Sequence, residues 1–192
     1  MSTLEVNTIT PQSGTTLTLG GSGDTINLGS GVTNNLGITE ADSWRINSNF
    51  SLDNNTVYLT SNWERADYSG FEKIGTGLSE SSGIFSFGTT GKYLLMYQAF
   101  GFTNVNANEN LIFIDWTVDN FSNTIRISEL GLGPSSADAT EYGSATTTTI
   151  VDVTNTSTHK FKLAVSSTGN FTWSGHTTKT RTGVIAIRLG DT

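Results

Sequence analysis

Two histidines are the side chains best suited to acid–base or metal chemistry in this chain. His159 comes just before a predicted strand over Phe161–Val165, and His176 follows Trp173 in a predicted turn. A tight zinc site needs three or four protein ligands, so an imidazole that stands alone does not form one. We therefore expect both histidines to be solvated loop residues, and we expect no metal and no catalytic residue.

The carboxylates are scattered along the sequence. Asp138 and Glu141 share a predicted loop, and Asp115 and Asp119 straddle the end of a predicted strand. A glycosidase holds two carboxylates roughly 5–10 Å apart across a cleft, and nothing in this spacing singles out such a pair. Calcium at the Asp138/Glu141 loop is an alternative to a solvated loop, because loops rich in oxygen ligands suit that ion.

One segment has part of the spacing of a phosphate-binding loop, Gly88 to Lys92. The first glycine of that motif would fall at Ser86, and Tyr93 stands where a Ser or Thr must bind magnesium. Since alternating apolar runs flank the segment at Ile84–Phe87 and Lys92–Phe100, the sequence predicts a β-hairpin with a glycine turn. We expect no cofactor.

The elements that must position these side chains are strands. Hydrophobic residues make up 35% of the 192 residues and charged residues 14%, and Thr, Ser, Asn and Gly fill the difference, a composition that disfavours helix interiors. Short alternating runs recur with turn signals between them, the spacing typical of a sandwich or jelly roll. Besides the runs named above, the predicted strands are Asn55–Thr60, Leu111–Val118, Asn123–Leu132, Ala145–Val153, Phe171–Trp173 and Val184–Leu189.

The formal net charge of −7 excludes several partners. Phosphate neutralisation needs a basic surface, so the charge argues against nucleic acid and against an anionic membrane surface. The chain has no cysteine, which excludes disulfides and thiolate metal sites. No apolar run approaches the roughly 20 residues of a membrane span, and no secretory leader is visible, so we expect the protein to stay where it is made.

The first 38 residues repeat a short phrase punctuated by glycine. Thr16-Leu17-Thr18-Leu19-Gly20 returns nine positions later as Thr25-Ile26-Asn27-Leu28-Gly29. A segment this thin has one apolar face and no core of its own, so the face needs a partner, most simply another copy of the chain. The sequence thus predicts a β-rich attachment stalk over residues 1–38 and a second domain over 39–192; a flexible linker is the alternative. The stalk residues predicted to be buried by association are Leu4, Val6, Ile9, Leu17, Leu19, Ile26 and Leu28.

Residues 44–192 resemble the tumour-necrosis-factor-like jelly roll that is shared with the globular heads of complement's first component. The resemblance rests on the run from Ile84 to Leu94 with its Gly-x-Tyr, on Thr149–Val153 and on the closing run Gly183–Leu189. It implies an all-β, antiparallel jelly-roll sandwich assembled as a trimer. Phe85, Phe87, Tyr93 and Tyr97 alternate in spacing, so we expect them on a shared face, in the core of this knob or on the trimer axis.

The opening of the chain resembles fibre and structural proteins of tailed phages, marine cyanobacterial phages especially. The resemblance rests on Met1–Pro11 and Gly14–Gly20. Together the two resemblances imply a homotrimeric, non-enzymatic virion protein that is assembled in the host cytoplasm and binds other virion proteins. The chain lacks the long repetitive shaft of a long tail fibre, which favours a capsid decoration, short fibre or spike.

Two other functions stay open from the sequence. A receptor-binding tip would touch a host surface glycan or protein through loops distant from the stalk, and trimeric valency would add avidity. The residues predicted to face such a ligand are Asn104, Asn108, Asp138 and Glu141. A polysaccharide-cleaving enzyme is the third reading, and it lacks a catalytic constellation.

Overall fold

The computed structural model describes residues 8–25, 37–70, 72–103, 109–132 and 140–192. The chain divides into two units, Met1–Asn35 and Leu36–Thr192. The described residues of the second unit form thirteen strands. In chain order these are β1 (Ala41–Ile46), β2 (Phe50–Leu52), β3 (Asn55–Tyr58), β4 (Trp63–Arg65), β5 (Leu78–Ser81), β6 (Ile84–Phe87), β7 (Gly91–Thr103), β8 (Asn110–Thr117), β9 (Ile125–Gly131), β10 (Glu141–Val153), β11 (Lys160–Ser167), β12 (Phe171–Trp173) and β13 (Gly183–Gly190).

The strands form two antiparallel sheets that pack as a sandwich. Sheet A runs in the order β2-β12-β7-β13-β1-β4, and β10 pairs with the free side of β7. Sheet B runs in the order β5-β6-β11-β8-β9, and β3 pairs with β11. The predicted all-β, antiparallel jelly-roll fold is confirmed. Each strand turns alternate side chains inward, which is why the alternating apolar pattern of the sequence located most of them.

The two ends of the sandwich carry different connections. One end of the sandwich holds Ala41, Gly91 and Val153, and the chain enters the sandwich there from the first unit. We call the first unit the leader and this end of the sandwich the leader end. Thr103 and Glu141 pair at the opposite end, the far end. Since β7 spans thirteen residues at about 3.3 Å each, the two ends are about 40 Å apart.

The core lies between the sheets and is rich in aromatic side chains. Phe85 stacks on Phe161 with ring centroids 5.0 Å apart, and Trp63 meets Phe85 edge-on at 4.9 Å. Trp173, from the far half of sheet A, is fully buried. Buried aromatics of this size contribute most of the apolar area that stabilises such a domain.

The predicted hairpin between β6 and β7 is wrong. β6 pairs with β5 and β11 in sheet B, whereas β7 belongs to sheet A, so Gly88–Thr90 carries the chain from one sheet to the other. The two strands face each other through side chains, with Phe87 and Tyr93 at 4.6 Å between ring centroids. Alternation and a glycine turn are common to hairpins and to such crossovers, because both expose one apolar face per strand.

In the first unit, the described residues 8–25 contain no strand. Their local order includes a turn in which the Asp24 backbone N–H donates to the Gly21 carbonyl at 3.1 Å, and the Gly21 N–H donates to the Asp24 carboxylate at 2.6 Å. The alternating run Thr16–Gly20 belongs to the predicted β-rich stalk, and it is not a strand among these described residues. A thin alternating segment has no ladder partner of its own, and strand formation on association stays a prediction.

Candidate binding face

The outward face of sheet A carries a continuous aliphatic surface at its leader half. The register places Ile150, Leu94 and Ile187 side by side in one row, and Met96 and Ile185 in the next. We call these five residues the aliphatic patch. Ile150 is 62% exposed, and the other four are partly exposed. Contiguous apolar surface on the outside of a sheet is typical of a face that another surface covers.

The far half of the same face is aromatic and polar. Phe100 of β7 stacks on Tyr142 of β10 with ring centroids 5.8 Å apart and planes 6° apart. Beside them runs a groove of about 440 Å³, which we call the β7–β10 groove. It is lined by Gln98, Ala99, Phe100, Ser144, Ala145, Thr146, Thr180 and Arg181.

One wall of the β7–β10 groove is the loop between β12 and β13. Three backbone hydrogen bonds attach this loop to the sheet: Ser174 N–H to the Phe100 carbonyl, His176 N–H to the Ile46 carbonyl, and Ile46 N–H to the Thr182 carbonyl, at 2.8–2.9 Å. A loop pinned in this way presents its outer side chains at defined positions, a property that binding sites on rigid scaffolds use.

Beneath this loop lies a buried guanidinium, that of Arg45. The residue is 1% exposed, and its Nη2 donates to the Thr177 carbonyl at 2.5 Å. Glu64 approaches Nη2 at 3.3 Å without hydrogen-bond geometry, and the Arg45 Nε and Nη1 atoms have no partner among the described residues. The charge of this guanidinium is thus offset by Glu64, although two of its donors remain unfilled.

The outward face of sheet B differs, because its charges satisfy one another. Asp115 is buried and accepts hydrogen bonds from the Tyr58 hydroxyl at 2.7 Å and from Arg126 Nε at 3.0 Å. Burial, followed by the hydrogen bond to Asp115, raises the pKa of Tyr58, and the bond to Asp115 raises the pKa of Arg126. Arg126 also lies 3.7 Å over the Phe113 ring. This closed network covers the apolar surface beneath it.

The predicted stalk residues fall in two groups. Ile9, Leu17 and Leu19 lie in the described part of the leader and are 51%, 44% and 56% exposed, so the described residues leave them largely uncovered. Four others lie outside the described residues: Leu4, Val6, Ile26 and Leu28.

The four predicted aromatics lie in the core of the jelly roll. Phe85 and Phe87 point inward from sheet B, and Tyr93 and Tyr97 point inward from sheet A; each is at most 5% exposed. They therefore meet across the sandwich, from two facing sheets.

Of the four residues predicted to face a ligand, the structure describes one, Glu141. Glu141 begins β10, opposite Thr103 in the register. Asn104, Asn108 and Asp138 lie outside the described residues. Thr103, the described residue before Asn104, pairs with Glu141 at the far end of the sandwich.

The histidines contact hydroxyl groups. His159 is 9% exposed and lies between the Thr154 and Thr158 hydroxyls at 3.2 and 3.1 Å, so it is more buried than the sequence indicated. His176 Nδ1 accepts the Thr178 backbone N–H at 3.0 Å. In the part of the chain that the structure describes, no three His, Asp or Glu side chains are grouped as a metal site would require. The described ranges also contain no helix with the length and hydropathy of a membrane span.

Sequence reasoning missed the aliphatic patch, although β7 and β13 carry a signal for it. In Tyr93–Tyr97 the odd residues face the core, yet Leu94 and Met96 between them are also apolar. Ile185 and Ile187 show the same pattern in β13. A strand that is apolar on both faces is typical of burial on both sides.

Comparisons with known proteins identify the fold. No family profile and no curated protein sequence matches the chain. Among solved structures, the Eiger tumour-necrosis-factor protein of S. frugiperda aligns with a TM-score of 0.53 and 13% identity over 79% of this chain and 93% of its own. Murine APRIL at pH 8.0 aligns with a TM-score of 0.54 and 13% identity over 78% and 98%. The second unit is therefore a jelly roll of the tumour-necrosis-factor type.

A third structure, the PRD1 vertex protein P5, aligns with a TM-score of 0.44 and 16% identity over 80% of this chain and 99% of its own. That alignment is too distant to carry an argument. At these identities the comparisons establish the architecture, and the function has to be argued from the surface.

Proposed function

We propose that this chain is a non-enzymatic structural protein of a phage virion. It forms a homotrimer that decorates the capsid or makes a short fibre or spike, and residues 1–38 anchor it to other virion proteins. The observation that carries the proposal is the aliphatic patch. Apolar surface gains roughly 25 cal/mol for each Å² removed from water, so a face of this kind favours association.

A second copy of the chain is the simplest cover for the patch. The row of Ile150, Leu94 and Ile187 continues to Ala41 at the start of β1, where the chain enters from the leader. The leader itself exposes Ile9, Leu17 and Leu19. Copies that associate about one closed symmetry axis would cover both apolar sets at once. A trimer is the state implied by the resemblance to the tumour-necrosis-factor-like jelly roll.

The virion assignment is supported by the opening of the chain. Met1–Pro11 and Gly14–Gly20 resemble the first residues of tailed-phage fibre and structural proteins. In this proposal the mechanism is binding alone: the leader docks on the particle, and the jelly roll projects from it. Burial between subunits then makes the stability of one chain inseparable from that of the assembly.

A receptor-binding fibre tip is the second candidate function, and one observation favours it. The β7–β10 groove and the ends of the strands that flank segments 104–108 and 133–139 all lie in the far half of the sandwich. A tip held to a particle through its leader would present that end to the host.

The trimer is tested with two matched substitutions on edge strands. Ile150 in β10 and Ile125 in β9 are 62% and 57% exposed, but only Ile150 belongs to the aliphatic patch. We expect the unmodified protein to have the mass of a trimer by mass photometry. Ile150→Asp should shift the population toward monomer, because a charge would be buried in the interface.

Ile125→Asp should leave the trimer fraction unchanged. A monomeric unmodified protein, or an equal loss of trimer in both variants, would contradict the proposed assembly.

A further inference from the structure

We propose that the β7–β10 groove binds an acidic sugar, a saccharide unit that carries a carboxylate. The inference supplies a ligand class for the second candidate function and rests on that function. The volume of the groove, about 440 Å³, lies within the usual range for small-ligand sites, roughly 300–1,000 Å³.

The floor of the groove offers the polar groups that sugar hydroxyls need. Gln98 Nε2 donates to the Thr180 carbonyl at 2.9 Å, which fixes the amide; its Oε1 has no donor among the described residues. Ser144 and Thr146 add hydroxyl groups from β10. These groups line one strand pair, so their spacing is set by the register of β7 and β10.

An aromatic platform borders the polar floor. Tyr142 is 68% exposed, although it stacks on Phe100 at 5.8 Å. An exposed ring of this kind has a large apolar face and a hydroxyl at its edge, a combination that suits contact with partly polar ligands. The C–H-rich face of a pyranose ring fits against such a surface.

The wall of the groove supplies positive charge. The Arg181 side chain has no hydrogen bond or ion pair with the described part of the chain, and it lines the groove. In a protein whose net charge is −7, an unpaired guanidinium on the wall of the groove favours an anion there. A guanidinium binds a carboxylate through paired hydrogen bonds, so a carboxylated sugar satisfies both the wall and the floor.

The neighbouring aliphatic patch is chemically distinct from the groove. The patch ends at the row of Met96 and Ile185, and the groove begins at Gln98. An interface with another copy is therefore argued for the patch, and the alternative that copies also cover the groove is an outcome of the test below.

The test measures saccharide binding by the full chain with isothermal titration calorimetry. The probes are oligogalacturonate, oligoglucuronate and a sialylated oligosaccharide, each paired with a neutral counterpart in which the carboxyl group is reduced. We expect at least one acidic probe to bind more tightly than its neutral counterpart. Arg181→Gln should weaken that binding about tenfold, as expected for loss of a charged hydrogen bond. Lys179→Gln removes a charge from the same loop outside the lining of the groove, and it should change affinity by less than about twofold.

A second substitution keeps the charge and removes the platform. Tyr142→Ala should also weaken the acidic probe, and thermal melts should show that both variants stay folded. Equal affinity for acidic and neutral probes, no binding to any of them, or an effect of Lys179→Gln equal to that of Arg181→Gln would overturn the proposal. So would a loss of trimer in Arg181→Gln without any effect on saccharide binding, since the groove would then be an interface between copies.

The two proposals fail separately. A trimeric protein that binds no acidic saccharide contradicts only the groove inference. A monomer that binds one contradicts the trimer and leaves the groove intact.

Discussion

Two buried carboxylates, those of Asp42 and Glu40, fasten the start of β5 and the residue before it to the region of β1. Asp42 Oδ2 accepts from the Leu78 backbone N–H at 2.8 Å and from Trp44 Nε1 at 3.0 Å, and it also pairs with Arg65. Glu40 accepts from the Gly77 N–H at 2.7 Å. These oxygens hold backbone N–H groups, an indole N–H and a cation at β1 and at the residue just before it. These carboxylates therefore have a structural role, because a buried carboxylate is stable only when its oxygens accept hydrogen bonds or ion pairs.

Asp119 also accepts hydrogen bonds through its carboxylate, at the surface of the protein. These bonds make the stability of the fold depend on pH. The Asp119 carboxylate accepts from the Asn123 backbone N–H at 2.9 Å, from Asn123 Nδ2 at 2.6 Å and from the Thr117 hydroxyl at 2.8 Å. These bonds, led by that of the Asn123 backbone, hold the pKa of Asp119 below its ordinary value of 3.8. The folded pKa lies below the unfolded one, so this stabilisation is present above the unfolded pKa and is lost as the pH falls through the folded pKa.

We therefore expect Asp119→Asn to lower the melting temperature at pH 7 and to have a smaller effect near pH 3. Thermal melts of both proteins across this range measure the difference. A variant whose melting temperature falls by the same amount at both pH values would show that the ionised carboxylate contributes nothing to the loop.

At the scale of elements, turn conformation decides which strands pair. β5 and β6 form a two-residue hairpin whose central residues, Ser82 and Gly83, both have positive φ, 53° and 80°. That combination is typical of the type I′ turn, whose twist matches that of paired strands. The Gly88–Thr90 connection instead crosses between sheets. Two short glycine-containing connections thus join their strands differently, one within a sheet and one between sheets. The difference arises because β6 pairs with β5 and β11, whereas β7 pairs with strands of the other sheet.

A substitution at Gly83 tests how tightly the β5–β6 turn is constrained, because this turn is also crowded by a neighbouring backbone segment. A Cβ added at Gly83 would overlap the Leu59 carbonyl oxygen, whereas at Gly70, with φ of +98°, no described atom lies within 4 Å of the added carbon. Gly70→Ala should cost about 1 kcal/mol of unfolding free energy for the positive φ alone. Gly83→Ala should cost at least about 1–3 kcal/mol more, since overpacking adds to the strain. Urea unfolding curves measure both, and equal losses would contradict the close approach.

At the scale of the whole molecule, the two units differ in how much they can bury alone. The second unit has a continuous core from Phe85 to Trp173. The described part of the first unit exposes every residue except Pro11 and has no strand. The jelly roll should therefore fold by itself, and the described part of the leader should bury its apolar side chains only by association.

Deleting residues 1–35 tests this division. We expect the remaining chain, 36–192, to keep a β-type circular dichroism spectrum and a cooperative thermal transition, because its strands and core are complete. We also expect its trimer to dissociate at a higher protein concentration than that of the full chain, since the leader's apolar contacts are lost. Sedimentation velocity over a concentration series measures the shift.

An unfolded fragment would show that the units are not independent. A fragment whose trimer is as tight as that of the full chain would remove the leader from the proposed assembly.

The local pattern of the sequence was enough to determine the class of the fold. Alternation in Ile84–Phe87, Leu111–Val118 and Val184–Leu189 located strands, because side chains in a strand point to opposite faces at every step. Polar composition and scarce helix signals determined the all-β character. The short strands β1, β2, β4 and β5 were not predicted; charged residues in β1, β4 and β5 hide the apolar pattern of such short strands.

Only the tertiary structure decided which strands pair and which surfaces stay exposed. It assigned β6 and β7 to different sheets, joined Phe100 and Tyr142 from strands about 40 residues apart, and placed Arg181 beside them. Each of these features depends on contacts between residues distant in sequence. A period of two residues identifies a strand and its apolar side, but it is the same whichever neighbour completes the ladder, so pairing is settled by the packing of the whole chain.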